Sequence, residues 1–264
     1  MSEYPRHSRA DLLEMLSSPD PVERDDIAYL GMVQRIGSGA EDDDLVALGD
    51  EIAGRLGDGE IQTRSFAALI LGEVVERDQV TGLATGEAVL RWRDAFAGWY
   101  ATEQDLRGWD DSLGWLHAVA HGADTLARFG RSARLDRDDL RGLLDVACAR
   151  LLAPTGFVLR DQEDDRLGYA LALVLSRPEL SEDDSVRWLR PVSAAFAAGE
   201  PGPVPAFATN AMRTLRVLYL LCDRGFLFPE ATQGETVARA SVTHPAALKP
   251  ALADVLRHAW PYLG

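Results

Sequence analysis

Along nearly the whole chain, apolar residues recur three and four positions apart, the spacing that puts them on one face of an α-helix. Runs of β-branched residues with period two are missing. Such a chain has few folds open to it, because each apolar stripe has to be buried against another helix. Several segments open on a polar cap and then show the helical pattern. Ser8 precedes Leu12, Leu13 and Leu16; Asp42 precedes Leu45, Leu48 and Ile52; Ile61 leads through Phe66, Leu69 and Ile70 to Val74. Thr85 precedes Val89, Leu90, Trp92, Phe96 and Trp99, and Asp136 precedes Leu140, Leu143, Leu144 and Ala147. Ser181 with Asp184 forms a capping-box pattern ahead of Val186, Leu189 and Phe196. Glycine or proline marks the junctions, as at Gly37-Ser38-Gly39, Gly57-Asp58-Gly59 and Pro154-Thr155-Gly156.

Helix starts recur about every twenty residues, so helix pairs recur near about forty, the spacing of HEAT-like and armadillo-like solenoids. No repeated motif accompanies that spacing. The expected fold is therefore all-α, with antiparallel helix pairs stacked into a curved HEAT-like or armadillo-like α-α superhelix, on periodicity alone. Gly199-Glu200-Pro201-Gly202-Pro203-Val204-Pro205 is the only plausible internal boundary. Its prolines stiffen it, so it reads as a loop within one helical domain over residues 1–264.

With 264 residues, 47% of them apolar, the chain can bury a substantial core. The formal net charge of -15 repels phosphate backbones, and no localised basic patch offsets it, so nucleic acid is not an expected partner. No run approaches the roughly 18 uncharged apolar residues of a membrane span, and residues 1–10 lack an apolar leader core, so a soluble, cytoplasmic protein is expected, with no membrane partner. Cys148 and Cys222 sit in apolar helical context and read as buried reduced thiols.

The best candidate for a site is Gly114-Trp115-Leu116-His117-Ala118-Val119-Ala120-His121-Gly122-Ala123-Asp124. As one helix from Asp111 to Phe129, it would carry Leu116, Ala120, Ala123 and Ala127 as a small apolar stripe. His117, His121, Asp124 and Arg128 would form the adjoining stripe, at the edge of the core. Histidines four apart can share a metal, and Asp124 can supply an oxygen, a set suited to a divalent ion such as Zn or Mn, or to Fe. The zinc-protease pattern is absent, since Ala118 stands where its glutamate base would be. The alternative is a structural network in which Asp124 fixes a histidine tautomer.

Upstream, Glu103, Asp105 and Arg107 alternate and would point the same way in an extended loop, over the histidine face, or else form a solvated loop. Two further polar groups interrupt apolar helices, Asp164 and Arg166 in Glu163-Asp164-Asp165-Arg166, and Asn210 with Arg213. Either can be ordinary surface. Brought beside the histidines and Trp115, they would line a mixed-charge pocket for a small polar ligand, an anion or a metal complex.

The segment Glu103-Gln104-Asp105-Leu106-Arg107-Gly108, followed by the Gly114–Asp124 stretch, resembles a bacterial family known as domain of unknown function 2785. Glu163-Asp164-Asp165-Arg166 and Asn210-Ala211-Met212-Arg213-Thr214-Leu215-Arg216-Val217-Leu218-Tyr219 match its later signature, so the resemblance covers most of the chain. It implies an α-helical protein and brings no established activity or ligand. Three functions stay open on the residues: a module binding a small polar ligand or a peptide in a concave pocket, a metal-dependent hydrolase with Glu103 or Asp105 as acid or base, and a structural protein-interaction domain.

Overall fold

The computed structural model describes residues 7–200, 202–229 and 237–263. It begins with α1 (Arg9–Met15), a π-helical segment (Val22–Tyr29), α2 (Leu30–Ser38), α3 (Leu45–Arg55), α4 (Ile61–Thr81) and α5 (Gly86–Thr102). A short hairpin, β1 (Trp109–Asp110) and β2 (Gly114–Trp115), then leads into α6 (Ala118–Arg131). Next come α7 (Arg137–Leu152), α8 (Glu163–Leu175), α9 (Glu182–Arg187), α10 (Leu189–Ala197) and α11 (Ala206–Arg224). A second antiparallel pair, β3 (Phe226–Pro229) and β4 (Val237–Ala240), precedes α12 (Pro245–Ala259). The chain is mostly helical, 68% helix against 4% strand.

The caps legible in the sequence do the expected work. Ser8, Thr85, Asp136 and Ser181 each accept from a backbone N–H in the first turn of α1, α5, α7 and α9. Three of them are reciprocal capping boxes, with Asp11, Asp139 and Asp184 returning the bond. Asp42 instead opens a 3-10 turn, Asp42–Asp44, that feeds α3.

Packing follows a regular order. α3 packs on α5, α5 on α7, α7 on α10 and α10 on α12; in parallel, α2 packs on α4, α4 on α6, α6 on α8 and α8 on α11. α4 is buried through every residue from Ser65 to Gly72, which is why its apolar residues are not confined to one stripe. Around it one apolar cluster runs from Leu12 to Leu256 and includes the fully buried Trp92 and Phe96. α6 sits close to its neighbours because its small residues leave room: a side chain at Gly122 would strike the Tyr100 ring, and one at Gly130 would strike Val174. A smaller cluster of Leu106, Val119 and Leu159 fastens the loops after α5 and α7 to the start of α6.

The histidine segment departs from expectation. Residues 111–117 are not helical; the hairpin occupies them, and α6 starts only at Ala118. Asp110 causes this, because its Oδ1 accepts from Ser112 N (2.9 Å), Ser112 Oγ (2.7 Å) and Leu113 N (3.1 Å), closing a tight turn. Gly114, at φ +70°, completes the turn where a side chain would collide with Pro21. The proline-rich stretch after α10 is the link to α11, with residue 201 outside the described residues. No helix among the described residues is long and apolar enough to cross a membrane.

Candidate functional site

The hairpin is held from below by Arg24, a fully buried residue of the π-helical segment. Its Nη2 donates to Leu113 O (2.7 Å) and Trp115 O (3.2 Å), its Nε pairs with Asp25 (2.8 Å), and its guanidinium lies 4.9 Å from the Phe66 ring centre. From the other side, Leu116 N (2.8 Å) and His117 N (3.2 Å) both donate to Gly108 O. Between these restraints His117 takes up φ +47°, a left-handed conformation that disfavours side-chain-bearing residues, and α6 begins immediately after it. α8 begins the same way, after Gln162 at φ +67°. These are the two non-glycine residues with positive φ among those described, and neither helix has a side-chain cap.

His117 therefore stacks on Trp115, with ring centres 4.3 Å apart and planes 27° from parallel, and meets the edge of His121 at 5.8 Å. His121 is buried on α6 against Phe66 (5.1 Å) and Ser65 of α4. The Ser65 hydroxyl donates to Leu116 O and lies 2.8 Å from His121 Nδ1. A hydroxyl has one proton, and a carbonyl can only accept. Nδ1 of His121 must then carry the hydrogen, leaving Nε2 as a bare acceptor. Ser65 for its part is no activated nucleophile, since its proton points away from the imidazole. Burial, reinforced by the Arg166 charge, holds His121 well below the usual histidine range, and the same two causes lower His117. Both rings are neutral near pH 7, each with one donor and one acceptor nitrogen, and His117 Nε2 is buried with no partner in the protein.

Asp124 sits one turn further along α6, where Arg166 of α8 grips both its oxygens, Nε to Oδ1 at 3.0 Å and Nη2 to Oδ2. That pairing takes up the carboxylate proposed as a third metal ligand. Among the described residues, no group of three or more His, Cys, Asp or Glu is arranged to hold a metal ion, so His117, His121 and Asp124 do not form a three-ligand set.

At the start of α8, Glu163 is fully buried. Its Oε2 accepts from Asp161 N (2.8 Å), whereas Oε1 has no partner in the protein. A side-chain carbon at Gly108 would collide with both Glu163 Oε1 and Asp161 Oδ2, so these two oxygens converge on the glycine at the base of the hairpin. Burial raises the Glu163 pKa, and the nearby Asp161 charge adds to it.

The other sequence candidates divide. Asp164 pairs with Arg213 Nε (2.5 Å), and Arg213 also donates to Leu159 O. Asn210 clamps the same loop, accepting from Leu159 N (2.9 Å) and donating to Phe157 O (3.0 Å). These three residues fix the 157–159 loop that carries Asp161 to the site. Asp105 pairs with Arg107 (2.5 Å), which also reaches Asp110 (2.5 Å), bracing the hairpin rather than facing the imidazoles. Glu103 turns the other way, accepting from Arg64 Nε (2.7 Å), Trp99 Nε1 (2.8 Å), and the backbone of Gln104 and Asp105. Burial works to raise its pKa, but these donors bring it below the usual range, which disfavours an acid or base role. Trp109 and Trp115 form the exposed rim, edge to face at 4.9 Å.

Sequence reasoning passed over Ser65, Asp161 and Arg24, and read Gly108 and Glu163 only as parts of charged words. The one available signal was the adjacency of Glu163 and Asp164 at a helix start, where successive residues diverge by about 100° and so serve different neighbours. Comparison with curated proteins and with solved structures gives no match. One family model does match, over residues 51–220, which span α4 to α10, the hairpin, and most of α11. The chain belongs to that family, described as "Protein of unknown function (DUF2785)".

Proposed function

We propose that this protein is a binding module that takes a small polar ligand where α6 and α8 begin, with His117 Nε2, His121 Nε2 and Glu163 Oε1 as acceptors. The observation that carries this reading is the pair of buried polar atoms, His117 Nε2 and Glu163 Oε1, that the folded chain leaves without partners at adjoining helix starts. A buried polar atom without a hydrogen bond costs about 1–3 kcal/mol, and each left-handed residue adds of order 1 kcal/mol. A ligand offering N–H or O–H donors returns the hydrogen-bond terms on binding, while the backbone strain stays with the fold. The alternating helix contacts support the wider picture of one domain built as a HEAT-like α-α superhelix, its site on the row made by α4, α6, α8 and α11. The charge of -15 speaks against nucleic acid and anionic membrane surfaces as partners.

A thermal-shift screen of small polar compounds on the full chain tests the proposal. A ligand at about ten times its Kd stabilises by about 1.4 kcal/mol, and the expected rise in Tm disappears in both Glu163→Gln and His117→Ala. Compounds that stabilise the variants as much as the wild type would place binding elsewhere, and a screen without any stabiliser would count against the module.

A further inference from the structure

The charges around these acceptors narrow the ligand's chemistry. Arg166 is matched by Asp124, and Arg213 by Asp164. Asp161 and Glu163 have no such counter-charge: Glu163 is fully buried with Oε1 unpartnered, and Asp161 Oδ2 converges with it at Gly108. An acidic pair alone would not define a site. Here a fully buried, unpartnered carboxylate oxygen is joined by His121 Nε2, left a bare acceptor by the Ser65 contact, by His117 Nε2, a buried ring nitrogen without a partner, and by exposed indoles at the rim. An indole face left open by the Trp115–His117 stack and the Trp109–Trp115 contact attracts cations through its ring quadrupole.

We infer that the ligand is a cationic amine, whose ammonium group donates to Glu163 Oε1, Asp161 Oδ2 and a histidine Nε2, beneath the Trp109 and Trp115 rim. This rests on the binding site proposed above and adds the sign of the ligand's charge. An ammonium has three donors and no acceptor, and so suits a site supplying acceptors of this kind. An anion would face two carboxylates whose charge no arginine matches. A neutral diol can make the same hydrogen bonds but gains nothing from the charge, and hydrogen bonds to charged groups are the stronger kind.

The test uses three linear probes of matched length: 1,4-diaminobutane, 1,4-butanediol and succinate. Each is titrated into the full chain by calorimetry, and histidine and tryptophan side-chain NMR signals are followed in parallel. Diaminobutane should bind saturably, shift the His117, His121 and Trp115 signals, and weaken as salt is raised. Glu163→Gln should lower its affinity by roughly tenfold or more, the worth of one charge-assisted hydrogen bond. Asp161→Asn, on a partly exposed residue, provides the same readout should Glu163→Gln fail to fold. Equal or tighter binding of the diol or of succinate at these signals would overturn the cationic assignment while leaving the binding module in place. No shift of these signals with any of the three probes would also overturn the cationic assignment, and the wider thermal-shift screen then decides the binding module.

Discussion

Replacing Ser65 with alanine removes a single oxygen, yet two buried groups depend on it. Leu116 O loses the hydroxyl that donates to it, and His121 Nδ1–H loses its acceptor. Each group then carries an unmet hydrogen bond in a buried position, at about 1–3 kcal/mol apiece. The imidazole can move its proton to Nε2, but that leaves a bare Nδ1 in the same place, so tautomer exchange offsets little. The expected loss is about 2–6 kcal/mol. At roughly 2–4 °C per kcal/mol for a chain of this size, Tm falls by about 4–24 °C. Thr63 supplies the control, because it lies two residues away on α4 and its buried hydroxyl has no partner. Thr63→Val removes an unmet group while keeping the shape, and should be neutral or mildly stabilising. Urea unfolding followed by far-UV circular dichroism measures both changes, and imidazole nitrogen shifts report the His121 tautomer directly. A Ser65→Ala loss below about 0.5 kcal/mol, or a wild-type His121 with its proton on Nε2, would refute the hydrogen-bond assignment on which the site geometry depends.

Two further outcomes follow from the same geometry. The folded-state pKa of His121 lies well below its unfolded value, so at acid pH the unfolded chain takes up the proton first. Stability is then unaffected above about pH 6.5 and declines below it by up to about 1.4 kcal/mol per pH unit, until the folded-state pKa is reached. Urea unfolding near pH 7.5 and 5.5 should show a larger acid loss in the wild type than in His121→Gln, which keeps only the smaller share due to His117; parallel losses would contradict it. Gly108→Ala forces a carbon against Asp161 and Glu163, and should cost about 1–3 kcal/mol in a melt while displacing the His117 and Trp115 NMR signals; an unchanged spectrum would show that the carboxylates do not converge there.

The fold was legible where local chemistry decides it. Ser8, Thr85, Asp136 and Ser181 cap the helices they precede because a short side-chain oxygen at that position meets an otherwise unpaired N–H whatever the tertiary context. The histidine segment was misread for the opposite reason. Its apolar spacing fits a helix from Asp111, but Asp110 closes a turn on Ser112 and Leu113, and Arg24, roughly ninety residues earlier, captures the carbonyls of Leu113 and Trp115. No local pattern reveals a partner so far away. Likewise the pairing of Asp124 with Arg166 and of Asp164 with Arg213 was within reach as a cluster of polar words, whereas the turn of Glu103 toward Arg64 and Trp99 depended on how α4 and α5 lie together.

The site and the scaffold also make different demands on the same residues. His117 would relax as glycine or outside the left-handed region, and Glu163 would be less costly as an apolar residue of similar size. On the binding reading proposed above, neither change is open, because both polar atoms serve as acceptors where α6 and α8 begin. The rest of the structure holds those acceptors in place: Arg24 beneath the hairpin, Ser65 behind His121, Asn210 and Arg213 on the loop before Glu163, and Gly122 allowing α6 to lie against Tyr100. Each of these residues acts through a satisfied contact, whereas the atoms they position, His117 Nε2 and Glu163 Oε1, are left without one. Positioning of this kind removes ordering cost from the binding step, since the acceptors need not be gathered when a ligand arrives. A purely structural network would be expected to close on itself, as Glu103 does with its five donors from Arg64, Trp99, Gln104 and Asp105. The cluster at the start of α6 and α8 stays open within the protein, as the binding reading proposed above requires.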